Sequence, residues 1–208
     1  MVDAWNFPLQ MPRVLPRDGE VRLRAFDDRD VATLLNLSTD PYIPLIGTLP
    51  ANTNRAGALG YIERQHDRLA TGAGYSFCIA LSTTDEAVGG AGLWLASIEQ
   101  GRATAGYAIA PRHRGRGLAG QALRALTTFG WTLPEIQRIE LYIEPWNAAS
   151  ERTAHTAGYQ HEGLLRSHQV IGSNRVDMLL YAAVRPPAAH ANSSRTGDRD
   201  PTEGLNLQ

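Results

Sequence analysis

Between residues 111 and 120 the chain reads PRHRGRGLAG. Arg112, Arg114 and Arg116 supply three cations. Gly115 and Gly117 remove side chains where the backbone must turn tightly. An alternating stretch, RATAGYAIAP, ends just before this run, and a helical pattern starts at Leu118. The first N–H groups of such a helix have no partner inside it and lie at the positive end of its dipole. Together these features describe an anion site for which phosphate is the natural guest. The spacing is not the Walker pattern, which needs Lys followed by Ser or Thr. It is not a dinucleotide fingerprint either, because no acidic residue is suitably placed beyond Gly120. A charged strand-to-helix turn and a nucleic-acid groove remain open as readings of the same residues.

Other reactive side chains point elsewhere. Cys78 lies inside the apolar run YSFCIAL and reads as a buried strand residue rather than a nucleophile. One cysteine forms no internal disulfide, which fits a reducing compartment. The six histidines show no metal-ligand spacing, so no metal is expected. His113, His155 and His161 read as structural or solvated, and His168 is a candidate wall of a substrate pocket.

The elements that must position these groups follow from periodicity. VRLRAF (21–26) alternates as a strand, and DDRDVATLLNLS (27–38) follows as a helix with Asp28 as a candidate N-cap. Residues 39–54 hold three prolines and read as a loop, oddly apolar at Tyr42, Ile43, Leu45 and Ile46. Those four should be covered by substrate, partner or core. Residues 55–72 place Leu59, Ile62, His66 and Leu69 on one helical face. YSFCIAL and AVGGAGLWLASI are strands around a turn. Leu118, Ala122, Leu126 and Phe129 mark an amphipathic helix, and RIELYIEP (138–145) is a strand. NAASERTAHTAG (147–158) is a short helix capped by Asn147. A final hairpin turns at IGSN. This order predicts a mixed α/β (α+β) domain with a mostly antiparallel central sheet and helices on both faces.

Composition bounds the functions. With 208 residues, one domain is expected over 20–185, with an extended arm at 1–19 and a polar tail at 186–208. All 20 cationic residues are Arg, yet the formal net charge is −1, so the chain lacks the global basic field of a nucleic-acid binder. No apolar run is long enough to span a bilayer, and the N-terminus lacks the pattern of a signal peptide. The expectation is a cytoplasmic protein without membrane or nucleic-acid partners.

The run Arg114-Gly115-Arg116-Gly117-Leu118-Ala119, placed after the strand GYAIAP, resembles the acetyl-CoA motif R/Q-x-x-G-x-G/A of the GNAT N-acetyltransferases. Farther on, Pro145, Asn147, Ala149, Ser150, Arg152, Gly158–Tyr159, Glu162–Gly163 and Arg166 resemble the second half of that fold in its RimJ/RimL-like branch. Asp177 matches the closing strand of that branch. The resemblance covers residues 20–185. One departure stands out: a strand that often carries a glutamate in an E-I-G-Y run here reads Thr104-Ala105-Gly106-Tyr107.

The resemblance implies a sheet with a V-shaped splay and an acetyl-CoA or other short acyl-CoA cosubstrate. The backbone of Arg114, Gly115, Arg116, Gly117, Leu118 and Ala119 would hold the pyrophosphate. The edge at Tyr107–Ala110 would pair with pantetheine like an added strand. Asn147 would contact the cofactor, besides or instead of capping its helix. Arg152 is a candidate for the 3′-phosphate or a solvated helix arginine. The Ile109 N–H is a candidate oxyanion donor. Ser150, one turn into the helix, is a candidate proton donor to the leaving thiolate or a second capping hydroxyl. Glu144 is a candidate base, with a surface carboxylate and a base acting through water as the other readings. The implied activity is N-acylation of a primary amine, either a protein N-terminus or a small amine or antibiotic, with acetyl or succinyl as donor group. A non-catalytic acyl-CoA-binding or sensing domain is the alternative, and a homo-oligomer is left open.

Overall fold

The computed structural model describes residues 9–187. Residues 1–8 of the expected arm and 188–208 of the expected tail lie outside the described residues. Eight strands make one sheet: β1 (Arg17–Asp18), β2 (Val21–Arg24), β3 (Gly74–Leu81), β4 (Ala87–Trp94), β5 (Arg102–Ile109), β6 (Arg138–Ile143), β7 (Gln160–Ile171) and β8 (Asn174–Val184). Their order is β1-β2-β3-β4-β5-β6-β8-β7. Every neighbouring pair is antiparallel except β5–β6. The α-helices are α1 (Val31–Leu37), α2 (Ile43–Ile46), α3 (Arg55–Ala70), α4 (Leu118–Gly130) and α5 (Ala148–Thr156). The mixed, mostly antiparallel sheet expected from the sequence is present.

The period of β3 explains why helices cover both faces. Tyr75, Phe77, Ile79 and Leu81 point into a core with Leu118, Ala122, Leu126 and Phe129 of α4. Cys78 and Ala80 point the other way, into a second core with Leu34 of α1 and Ala58 and Ile62 of α3. A strand buried on both sides reads as a continuous apolar run rather than an alternating one. Trimming Leu126, which is fully buried under the sheet, is worth about 2–5 kcal/mol.

The two faces carry side chains of different size. The α4 face of the central strands holds aromatics. The α1–α3 face holds Ser76, Gly90, Gly92, Gly106 and Ala108, so space is left above the sheet there. A Cβ on Gly92 or Gly106 would come within 2.8 or 2.7 Å of the Trp94 indole. Those glycines let the indole lie flat across β4 and β5.

β5 and β6 pair only at Arg102↔Arg138, Ala103↔Ile139 and Thr104↔Glu140. Beyond that, β5 stays with β4 and β6 stays with β8. The sheet therefore splays open from Ala105 and Leu141 onward.

Three expectations need correction. The first helical turn is capped by Asp27, not Asp28. Asp27 Oδ1 accepts from the Arg29 N–H at 2.9 Å, and the Asp30 carboxylate accepts from the Asp27 N–H at 3.0 Å. Arg24 fixes Asp30 with two bonds of 2.8 Å, and that buried pair sets which aspartate closes the box. Residues 39–54 are not all loop, because α2 forms one helical turn. Asp40 Oδ1 accepts from the Tyr42 and Ile43 N–H groups at 2.8 and 3.0 Å, and Pro44 early in a helix needs no N–H partner. His66 is exposed, and Gln65 takes the inward position with Ala58 and Ile62. The buried face of α3 is rotated by one residue relative to the expected stripe.

Candidate active site

Two clefts meet where the sheet splays. One, of about 750 Å³, runs over the start of α4 and is lined by Arg114 to Gly120, Ile109, Trp146, Asn147, Ser150 and Arg152. The other, of about 450 Å³, lies on the α3 side and is lined among others by Trp94, Arg68, Tyr142 and Glu144. Tyr107, Ala108, Asn147 and Ser150 line both. The joint between the clefts is thus made from one strand edge and one helix start, with the α2 turn over them.

The first cleft is built as an anion cradle. Gly115 and Gly117 have φ of 77° and 73°, a region that favours glycine, and Gly117 is the N-cap of α4. A Cβ at either glycine would meet nothing within 4 Å, so the backbone there faces open space. The first helical bond of α4 runs from the Gln121 N–H to the Gly117 carbonyl at 3.3 Å. Among the described residues, no protein acceptor takes the N–H groups of residues 115–120. Several amides therefore converge at the positive end of a 13-residue helix.

The arginines of this loop play different parts. Arg114 sends Nε to the Ile109 carbonyl at 2.9 Å and Nη2 to Asp40 Oδ2 at 2.6 Å. Its guanidinium braces the loop, while its backbone lines the cradle. Arg116 lies 3.6 Å from Glu20 at the rim. Arg112 turns away, bonding His113 and Thr33. Arg152 lines the cleft, is exposed and has no ion-pair partner among the described residues. Burial opposes ionisation of Asp40, but the Ile43 N–H, Arg114 and the Tyr42 N–H outweigh it and hold the carboxyl below its ordinary range.

The β5 edge is open along the splay. The Ala110 N–H bonds the Val88 carbonyl of the β4 side at 2.9 Å. Antiparallel pairing alternates, so Ile109 and Tyr107 turn their backbone groups the other way, toward β6. With no β6 ladder there, their N–H groups are available. The Ile109 carbonyl is already taken by Arg114.

Asn147 caps α5, with Oδ1 accepting from the Ser150 N–H at 3.1 Å. The Ser150 hydroxyl does no capping. The Tyr107 hydroxyl donates to the Ser150 carbonyl at 3.4 Å; burial raises the pKa of the Tyr107 phenol, and the neighbouring Ser150 and Thr153 side chains offset part of that. Glu144 is 8% exposed, so it is not a surface carboxylate. It lines the second cleft beside Tyr42, and burial together with the Glu144 carboxylate pushes the Tyr42 phenol well above its ordinary range.

His168 does not line the second cleft. It stacks on Tyr142 at 4.9 Å, and Gln169 lines the cleft instead. A register shift between Leu165 and Gln169 rotates this part of β7. Of the apolar residues at 42–46, Tyr42, Ile43 and Ile46 line both clefts, whereas Leu45 is 53% exposed. Tyr42 also packs edge-on against Trp146 at 4.9 Å. Arg68 and Trp94, central to the second cleft, carried no sequence signal: one sits in an ordinary helix and the other in an apolar strand.

Cys78 is fully buried, and burial pushes its thiol far up, followed by the Asp30 charge. Among the described residues no three metal-ligating side chains gather, and no helix is long and apolar enough to cross a membrane.

The chain is similar to known proteins over most of its length. Residues 20–160 match the family model described as an acetyltransferase (GNAT) domain. The uncharacterised N-acetyltransferase p20 of Bacillus licheniformis is 28% identical over 163 residues, 78% of this chain and 92% of that protein. YkkB of Bacillus subtilis is 31% identical over 148 residues, 70% of this chain and 85% of that protein. The structure is similar to Mycobacterium smegmatis RimJ in complex with CoA-disulfide, with a TM-score of 0.66 and 24% identity over 82% of this chain and 84% of that one. The family model covers more than half of the chain and the fold agrees with it: the chain belongs to the GNAT acetyltransferase family.

Proposed function

We propose that the chain moves an acetyl group from acetyl-CoA to a primary amine by direct attack in a ternary complex. The observation that carries this reading is the joint: Tyr107, Ala108, Asn147 and Ser150 border both an amide-lined anion cleft and a cleft holding a buried carboxylate. The residues present fit the cosubstrate. The amides of residues 115–120 suit the pyrophosphate, and Arg152 suits the 3′-phosphate. The open edge of β5 suits an extended amide chain. Acetyl-CoA supplies the activated thioester.

The chain's own groups then have distinct tasks. Glu144 takes the proton that the ammonium must lose, directly or through water. The amine nitrogen bonds to the thioester carbon, and the Ile109 N–H donates to the oxygen that gains charge. The carbon–sulfur bond breaks, and Ser150 gives its hydroxyl proton to the departing sulfur. Ser150 regains a proton from the nitrogen side through solvent, so one amide, one thiol and one proton result. Nothing requires an acyl-enzyme, since Cys78 is buried away from both clefts.

The test is acetyl-CoA binding by calorimetry, followed by thiol release across a panel of amines. The reading expects binding and amine-dependent release together.

A further inference from the structure

Among the described residues, two charged side chains line the second cleft, Glu144 and Arg68. Glu144 sits on the β6 side, next to Asn147 and Ser150. Arg68 reaches in from α3 on the far side, and its guanidinium carbon lies 5.8 Å from the centre of the Trp94 ring. Among the described residues its hydrogen bonds go to neutral oxygens: Gln65 Oε1 at 2.8 Å, Ser76 Oγ at 3.4 Å and Thr48 Oγ1 at 3.4 Å. Arg64, one turn earlier, also spends a donor on a neutral oxygen, the Thr48 carbonyl, at 2.8 Å. Arg22, Arg24 and Arg138 on the sheet are instead matched to carboxylates, Asp85, Asp30 and Glu140. A partly buried guanidinium held in place by neutral groups is oriented but not neutralised.

We infer that the second cleft selects acceptors carrying a carboxylate at the end away from the amine: the amine goes to Glu144 and the carboxylate to Arg68. This rests on the acyltransferase reading above. The guanidinium fork suits a carboxylate, and the Trp94 face keeps it flat and in place. Arg68, Trp94 and Ser76 line the second cleft and not the first, so the anion belongs to the acceptor rather than to the acyl donor. Strand spacing sets the length. The Trp94 ring lies over Gly92 and Gly106, and Glu144 is one to two strands across and about two residues along. Two strand spacings already amount to on the order of 10 Å, and the splay between β5 and β6 adds to that separation. An α-amino acid is too short to bridge them, whereas an amine and carboxylate joined by several methylenes fits the apolar walls between.

The experiment measures kcat/KM for thiol release from acetyl-CoA with γ-aminobutyrate, ε-aminocaproate, butylamine, hexylamine and the corresponding diamines. For the unaltered protein, ε-aminocaproate is expected to exceed hexylamine by about tenfold or more, with diamines last. In Arg68→Gln that ratio falls to about one, and in Arg68→Lys it is partly retained. Calorimetric binding of ε-aminocaproate, weakened in Arg68→Gln, gives a readout that needs no turnover. A ratio unaffected by Arg68→Gln, or diamines preferred over aminoalkanoates, overturns the inference while the acyltransferase reading stands. Faster release from succinyl-CoA with hexylamine, lost in Arg68→Gln, would put the carboxylate on the donor and also overturn it. Acetyl-CoA binding without release with any amine overturns both readings.

Discussion

Asp40 and Arg114 join two walls of the site through a 2.6 Å ion pair. Asp40 starts the α2 turn with one carboxylate oxygen and holds Arg114 with the other. The α2 turn and the loop that leads into α4 are therefore tied to each other. Asp40→Asn keeps the size but weakens the tie, so acetyl-CoA binding should weaken several-fold and the acceptor KM should rise with it. Because Asp40 titrates below its ordinary range in the fold, its contribution is complete above the unfolded-state carboxylate value of about 4 and is lost as pH falls through the folded value. Melting curves across pH should show a shallower acid limb below pH ~4 for Asp40→Asn than for the unaltered protein.

At Gly117, fold and ligand effects separate. Its φ of 73° makes any side chain cost roughly 1–2 kcal/mol, but no neighbour lies within 4 Å to clash. Gly117→Ala should lower the melting temperature modestly and weaken CoA binding little. Gly117→Asp places an anion in the cradle and should weaken CoA by more than tenfold at similar stability. Calorimetric titration of CoA into both variants distinguishes the two.

Ser150 lines both clefts beside Tyr107 and leaves the capping of α5 to Asn147. Ser150→Ala should leave folding and acetyl-CoA affinity intact while kcat falls roughly 10²-fold. A kcat within twofold of the unaltered protein would remove its donor role.

For Glu144 the pH profile is the sharper readout. Glu144→Gln should reduce kcat/KM by about 10²-fold or more near neutrality. The deficit should shrink as pH rises toward the amine's own pKa of about 10, where the acceptor loses its proton unaided. A deficit equal at every pH would mean that Glu144 only shapes the cleft.

Cys78 should be silent to a thiol reagent in the native protein and should react fully, one thiol per chain, in denaturant. Its burial within the α1–α3 core and its raised pKa both require this. Rapid native reaction would contradict the packing of β3 between its two helical layers.

Much of this was legible in the chain because the relevant physics is local. Gly115, Gly117 and the following amphipathic run announce a tight turn into a helix start, and Asn147 announces a cap. Period-two and helical patterns located most elements within a residue or two. What stayed hidden depends on distant neighbours. The cap moved from Asp28 to Asp27 because Arg24, on another element, fixes Asp30. The α2 turn escaped notice because Asp40 sets it up in a proline-rich stretch. Arg114 looked like a phosphate ligand by charge, and only the fold reveals its side chain spent on Asp40 and Ile109. Glu144 and Arg68 become partners across one cleft only when β6 and α3 are brought to opposite sides of Trp94.

The most direct test of the account is a single coupled assay. Acetyl-CoA, ε-aminocaproate and the protein are combined, and thiol released is compared with acetylated amine formed, by mass. The account predicts one acetylated amine per thiol, dependence on the amine, and loss of both signals in Gly117→Asp. Tight acetyl-CoA binding with no amine-dependent thiol from any acceptor, or release indifferent to Gly117→Asp, would contradict it.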